Sequence, residues 1–378
     1  MNLNLKFQPC SLTHEQKLLL RVCLLQGEDV LKAWQQWVTT VDINNLDSDS
    51  NSLLPLLYRN LSTHQVNHPE MARLKGIYRS KFYKNQILIQ KITKILNSLR
   101  DADIETILLN DVAINLQYYP HIALRHIYNF DLLIRTENAS KTINFLDRLG
   151  WKYSENLPIR TVVGNAAIFK DESGCRLSIH YPVALDAIQQ NVEQNFWQEA
   201  EINQVGEMST YLLNPTNQLL QVCLQGWPFK QVSTAIWVAD AMMILNSSGD
   251  KIDWDKLINQ AKKRQIVLPL KNTLPLLDKI LDTSLPPAIL QEIQQLPISK
   301  LEQKEYQIIN SKAYSFIGTF LSRYYLYSRL VSNSNAQLNL IEFTKYLQAV
   351  WSLASFWQVP IQVVNKAIRK AKPDIFKI

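Results

Sequence analysis

The chain has 378 residues, 47% hydrophobic and 19% charged, which suits two or three globular domains with sizeable cores and excludes a disordered chain. Only nine glycines are present (27, 76, 150, 164, 174, 206, 226, 249, 318), none closer than ten residues to the next. That excludes the dinucleotide fingerprint, the P-loop, the kinase glycine loop and the hydrolase elbow, all of which need closely spaced glycines. Of the net charge of +7, all is accounted for by residues 303–378, where ten Lys/Arg face Glu305, Glu342 and Asp374. Such a region either solubilises a terminal helix or meets a polyanion, an acidic peptide or a phosphorylated substrate.

Cys10, Cys23, Cys175 and Cys223 are far apart, so buried free thiols are expected rather than a disulfide framework or a zinc site. The first residues contain no apolar core of a signal peptide. The longest apolar stretch, 235–245, is short and broken by Asp240, so no membrane span is expected and the chain reads as cytoplasmic.

In chain order, leucines at helical spacing follow a Thr13-x-x-Gln16 capping box. Residues 42–52 are polar and read as a loop, and Leu53 to Leu61 as a short buried helical turn with Pro55 near its start. Residues 70–99 form a long amphipathic pattern, which makes the first hundred residues helical. The texture changes at Ile104: 104–109 and 127–134 read as buried strands, 138–149 as a helix closed by Gly150, and 166–169 with 175–180 as a hairpin around Gly174. Helix returns after Asn214-Pro215, running to Gly226, then over 237–245 and from the Asp253 cap to Arg264. Leu285-Pro286-Pro287 interrupts the pattern. Two aromatic-rich helices, 314–330 and 343–357, and a basic tail helix before Pro373 complete it. The expected fold is α+β, with a helical region over 1–100, an α/β core over 101–185 and a helical region over 186–378.

Six histidines (14, 64, 68, 121, 126, 180) include none at a common zinc spacing, and nothing local activates a serine or cysteine nucleophile. The aromatic set Tyr314, Phe316, Phe320, Tyr324, Tyr325 and Tyr327, with Arg323 and Arg329, has the composition of a base-stacking surface. Its helical spacing favours a core, so nucleic acid is not expected as a partner. The carboxylates at 101/103 and 253/255 fall on helix boundaries, where capping explains them. The informative constellation is Asn129-Phe130-Asp131 on one strand and Ser178-Ile179-His180 on another. The two-residue period puts 129 with 131, and 178 with 180, on one side. Acids at i and i+2 plus a third on a neighbouring strand hold two magnesium ions for in-line displacement.

In these segments the sequence resembles the bacterial uncharacterised nucleotidyltransferase family of the polymerase-beta-like superfamily. The resemblance rests on Leu54-Pro55-Leu56-Leu57-Tyr58-Arg59-Asn60-Leu61, Ile107-Leu108-Leu109-Asn110-Asp111, Tyr119-Pro120, Arg125, Asn129 to Ile134, Leu177-Ser178-Ile179-His180, Trp237-Val238-Ala239-Asp240 and Ile252-Asp253-Trp254-Asp255. It implies a small nucleotidyltransferase core between helical regions, a nucleoside triphosphate and magnesium as cofactors, and a tailoring role, since members accompany peptide natural-product or surface-polysaccharide gene sets. This chain departs from the pattern with Asn129 at the first metal aspartate, Ser178 at the third acidic position and Asn110-Asp111 in place of Lys-Gly. Asp131, as the remaining metal carboxylate, Arg125 and His180 stay on pattern. One carboxylate offers about one negative charge where three would meet two hard cations, so ordinary two-metal transfer is not expected.

Two readings follow. In the first, a repurposed enzyme modifies a peptide or small molecule, with Asp131 and His180 as acid and base and Arg125 gripping an anion. Asp111, His121, His126, Tyr128, Asn129 and Ser178 are then its substrate-binding candidates. In the second, an inactive relative binds a substrate or a partner enzyme through the same cleft and the basic C-terminal region.

Overall fold

The computed structural model describes residues 12–157, 165–181, 196–205, 208–225, 234–281, 285–310, 320–321, 323–325, 327–328, 340–350, 353 and 355–371. Four helices come first: α1 (His14–Leu24), α2 (Glu28–Thr40), α3 (Ser48–Thr63) and α4 (Glu70–Asp101). The capping box forms as expected: the Thr13 hydroxyl accepts from the Gln16 amide at 3.2 Å, and the Gln16 side chain accepts from the Thr13 amide at 3.1 Å. The polar stretch expected as a loop is partly helix. Asp47 caps α3, its carboxylate accepting from the amides of Asp49 and Ser50 and from the Ser50 hydroxyl, so α3 starts at Ser48 and runs through Pro55.

A seven-stranded mixed sheet follows, ordered β3-β4-β5-β2-β1-β7-β6. Its strands are β1 (Thr106–Leu109), β2 (Asn129–Ile134), β3 (Lys152–Leu157), β4 (Asn165–Lys170), β5 (Arg176–Tyr181), β6 (Glu201–Val205) and β7 (Met208–Leu212). Helix α5 (Asn110–Tyr118) leaves the end of β1, and α6 (Ala139–Arg148) connects β2 to β3. Gly150 and Gly174 take φ of 85° and 79°, the left-handed conformation that a helix C-terminus and a tight hairpin need. The sheet extends past residue 185, where the sequence reading ends the core, because β7 pairs parallel with β1 and β6 adds to β7. Strand β6 escapes notice because Glu201-Ile202-Asn203-Gln204-Val205 is mostly exposed and carries almost no apolar pattern.

The remaining helices are α7 (Pro215–Gln225), α8 (Thr234–Ser248), α9 (Trp254–Lys263), α10 (Val267–Leu281), α11 (Pro287–Gln295), α12 (Lys300–Asn310), α13 (Leu340–Val350) and α14 (Gln358–Ala371). The Asp253 carboxylate caps α9 through the Lys256 amide at 2.9 Å. Helices α7 to α11 share one apolar core with α1, α2 and α3, containing Leu19, Trp37, Leu57, Trp237 and Leu274. A second core lies between the sheet and the inner stripe of α4, where Ile92, Ile95, Leu96 and Leu99 meet Phe130, Leu132, Leu177 and Ile179. Phe320, Tyr324 and Tyr327 pack on Phe343 and Tyr346, so these five aromatics form a small core. Tyr314, Phe316, Arg329, Gly226, Cys10 and Lys372 lie outside the described residues. Cys23 and Cys223 are buried free thiols and Cys175 is a half-buried one. Among the described residues no helix is long and apolar enough to cross a membrane.

Candidate functional site

One face of β2 and β5 forms the floor of the site. The strands run parallel with Asn129 opposite Arg176, Asp131 opposite Ser178 and Leu133 opposite His180, so alternation puts all six side chains on one face. Phe130, Leu132, Leu177 and Ile179 take the other face and anchor the strands in the core under α4. His180 Nε2 lies 2.8 Å from Asp131 Oδ1, with His180 0% and Asp131 7% exposed. With its proton on Nε2 the imidazole donates to the carboxylate, leaving Nδ1, which is shielded and has no hydrogen-bond partner among the described residues. Among the described residues the Asn129 side-chain amide, the Ser178 hydroxyl and the second Asp131 oxygen also have no hydrogen-bond partner.

Arg125, in the turn before β2, is only 4% exposed. Its Nε and one terminal nitrogen clasp Asp240 of α8 at 2.9 and 3.0 Å. The same terminal nitrogen reaches Asp111 Oδ1 at 2.8 Å, and the other donates to the His126 carbonyl. Asp240, fully buried, also accepts from the Tyr119 hydroxyl at 2.8 Å. Asp111, in the first turn of α5, accepts from the Tyr128 amide at 3.0 Å. Burial opposes the guanidinium charge, but Asp111 and Asp240 outweigh it and hold Arg125 well above its usual range. Burial likewise lifts the Asp111 carboxyl, with Arg125 pulling against the rise and Asp131 and Asp240 adding to it. The bidentate partner of Arg125 in this structure is the chain's own Asp240, with Asp111 beside it.

The histidine candidates belong to the loop that delivers β2. His121 stacks between Tyr78 and Phe82 of α4, its Nδ1 2.8 Å from the Tyr78 hydroxyl. His126 packs edge-on against Tyr128 at 4.1 Å, and the Tyr128 hydroxyl lies 2.6 Å from Ser52 Oγ. Burial, then Lys81, Arg125 and Lys84, push His126 down to about 4. Asn85 fastens the loop to α4: its amide donates to the carbonyls of Ile122 and Arg125 and its oxygen accepts from the Ile127 amide. A groove of about 500 Å³ lies beyond the C-terminal end of α5, lined in part by Arg59, Asn60, Tyr119 and Pro120, and no floor residue reaches it.

The structure therefore gathers Asp131, His180, Asn129 and Ser178 on one floor, places Arg125 and Asp111 in a buried ion network beside it, and leaves His121, His126 and Tyr128 in the delivering loop. Sequence reasoning missed Arg176 and Asn85, and it picked out Asp240 as a landmark but not as the partner of Arg125. The strand period, extended two residues back from Ser178, was enough to find Arg176. Asp240 lies 115 positions from Arg125, and no local pattern links them.

A family model described as an uncharacterised nucleotidyltransferase matches residues 48–282, more than half of the chain. The chain belongs to this nucleotidyltransferase family. Among solved structures similar to this family member is the lincosamide antibiotic adenylyltransferase LnuA, lincomycin-bound. It shares 16% identity over 42% of this chain and 97% of its own, with a TM-score of 0.32. ANT(2")-Ia in complex with adenylyl-2"-tobramycin shares 13% over 47% and 95%, at 0.33. An antigenic nucleotidyltransferase-like protein from Paracoccidioides brasiliensis shares 11% over 54% and 96%, at 0.33. At identities and TM-scores this low the likeness carries no information about chemistry. A search of curated proteins returns no match.

The two magnesium ions that the family resemblance implies can be tested against this donor set. Asp131 is the one carboxylate on the floor among the described residues and has an oxygen engaged by His180; Asn129 and Ser178 are neutral, and Arg176 is the register partner of Asn129. One carboxylate and one guanidinium cancel, whereas magnesium takes anionic oxygens and sheds water reluctantly. The residues present do not fit a magnesium pair.

Proposed function

We propose that this chain is a repurposed tailoring enzyme of the nucleotidyltransferase fold. It acts on a hydroxyl of a peptide, a small-molecule natural product or a surface-polysaccharide precursor, outside the ordinary two-metal scheme. The observation that carries this reading is the 2.8 Å contact between His180 Nε2 and Asp131 Oδ1 on a floor whose other polar side chains, Asn129 and Ser178, have no hydrogen-bond partner among the described residues. An imidazole that fixes one carboxylate oxygen leaves the other in a single orientation, and a carboxylate so held serves as a general base. Asp131 Oδ2 accepts the proton of the attacking hydroxyl as its oxygen bonds to the α-phosphorus of a nucleoside triphosphate and the α–β phosphoanhydride bond breaks to release pyrophosphate; His180 keeps the carboxylate oriented, and Asn129 and Ser178 offer neutral hydrogen bonds that position the acceptor.

The test is turnover. The protein is incubated with each of the four ribonucleoside triphosphates and a panel of hydroxyl-bearing peptides and small molecules, in magnesium and in EDTA, and products are read as mass gain. Asp131→Asn is expected to lower the rate at least about 100-fold, the scale of a lost general base, while circular dichroism shows the fold retained. A folded Asp131→Asn variant that turns over like the parent removes Asp131 from the mechanism.

A second reading, a binding subunit without turnover, is favoured by one observation: Arg125 is closed onto Asp111 and Asp240, which withdraws a cation from the cleft. It requires that no acceptor gains mass and that binding of a peptide or partner enzyme survives Asp131→Ala.

A further inference from the structure

The cation left on the floor is Arg176. It stands opposite Asn129 in the β2–β5 ladder, on the same face as Asp131, Ser178 and His180. Its Nε is shielded from solvent and has no hydrogen-bond partner, and no acid lies within ion-pairing distance of its guanidinium among the described residues. The row does not stop there. Lys170 of β4 is the register partner of Arg176 on the other side and Lys152 of β3 is the partner of Lys170, so Lys152, Lys170, Arg176 and Asn129 form one transverse line across four strands, all on the floor face. Lys152 is drawn toward Asp147 at 3.7 Å, with both side chains largely exposed. Lys170 is exposed and has no acidic partner among the described residues.

Like charges directly opposite one another on adjacent strands, about 4.8 Å apart, destabilise a sheet. Two neighbouring cations with no carboxylate between them are therefore a cost to the fold that a bound anion offsets. The line ends at Asn129, where the family resemblance expects a metal-binding aspartate. The line thus ends on a neutral amide, with Arg176 as its register partner and Lys170 one strand further out. A guanidinium presents up to five donors in a planar fork that suits phosphate oxygens, and a lysine adds a point charge.

We propose that Arg176 and Lys170, with the Asn129 amide, form a metal-independent site for the diphosphate or triphosphate group of the substrate, in which side-chain cations supply the charge that divalent ions supply elsewhere. This deepens the reading of the cleft as an enzyme site and rests on it for the ligand's role. The two fail separately, since turnover at Asp131 is one measurement and anion binding at Arg176 another.

The probe is inorganic pyrophosphate, titrated calorimetrically into the full chain in EDTA. Binding is expected without any divalent ion and weakens as salt rises. Arg176→Gln is expected to weaken it at least tenfold and Lys170→Met about threefold, with Arg176→Lys falling between Arg176→Gln and the parent because it keeps the charge and loses the fork. Asn129→Asp, which returns a carboxylate to the line, is expected to weaken binding in EDTA. Thermal melts of each variant establish that it is folded, and Arg176→Lys keeps the test decisive should Arg176→Gln not fold. Parental protein that binds no pyrophosphate in EDTA, binding that requires magnesium, or folded Arg176 variants that bind like the parent would each overturn the proposal.

Discussion

At the residue scale the decisive contacts join positions far apart in the chain. Asp240 is fully buried and receives three donors, from Arg125 Nε, an Arg125 terminal nitrogen and the Tyr119 hydroxyl. Removing one member of a buried ion network leaves the other charge without its partner, and such losses cost about 3–5 kcal/mol. Asp240→Ala is therefore expected to lower unfolding stability by about that amount in urea; a loss near 1 kcal/mol would mean that Asp111 alone suffices for Arg125. This network also shows where sequence reading stops. Arg125 and Asp240 each stood out as landmarks, but nothing local says that they meet, so Arg125 read as a free anion holder. Asp131, Ser178 and His180 were legible because the two-residue period of a strand is a local rule. The same rule, carried two positions further back, reaches Arg176.

At the element scale the turn from β1 into α5 sets the rim of the floor. Asn110, the first residue of α5, has φ of 52°, and its side-chain oxygen accepts from Gln221 Nε2 at 3.2 Å. Asparagine enters the left-handed region at low cost, whereas a β-branched side chain pays about 1–2 kcal/mol there. Asn110→Val is expected to destabilise the protein by more than Asn110→Gly does, with the gap about 1–2 kcal/mol in matched urea titrations; equal losses would show that the Gln221 hydrogen bond, not the backbone, governs this position. Elements followed the same division between local and distant causes. Helix α4, the capping box of α1 and the β4–β5 hairpin were legible because periodicity and turn residues declare them. Strand β6 was not, since its place in the sheet comes from pairing with β7 rather than from its own residues. Helix α2 carried a signal that went unread: Val30, Ala33, Trp34 and Trp37 are its buried residues, at the i, i+3, i+4, i+7 spacing of an amphipathic helix.

At the scale of the whole molecule the three regions expected from the sequence do not divide the cores. The apolar core built on α1 and α3 includes Trp237 of α8 and Leu274 of α10, so it closes only when the chain has returned past the sheet. The sheet takes Tyr211 of β7 as the register partner of Ile107, and its underside is covered by the α4 stripe. A fragment of residues 101–185 lacks both the stripe and β7, leaving Phe130, Leu132, Leu177 and Ile179 uncovered on one face and an unpaired edge at β1. That fragment is expected to show no cooperative thermal transition. A fragment ending at residue 310 retains the two large cores and the sheet, and loses the separate aromatic cluster around Phe343. It is expected to unfold in one cooperative transition within several degrees of the full chain. If the short fragment melts cooperatively, the sheet is an independent folding unit and the floor does not depend on the helical regions for its geometry. If the long fragment fails to fold, the C-terminal aromatic cluster supports the main cores from outside them.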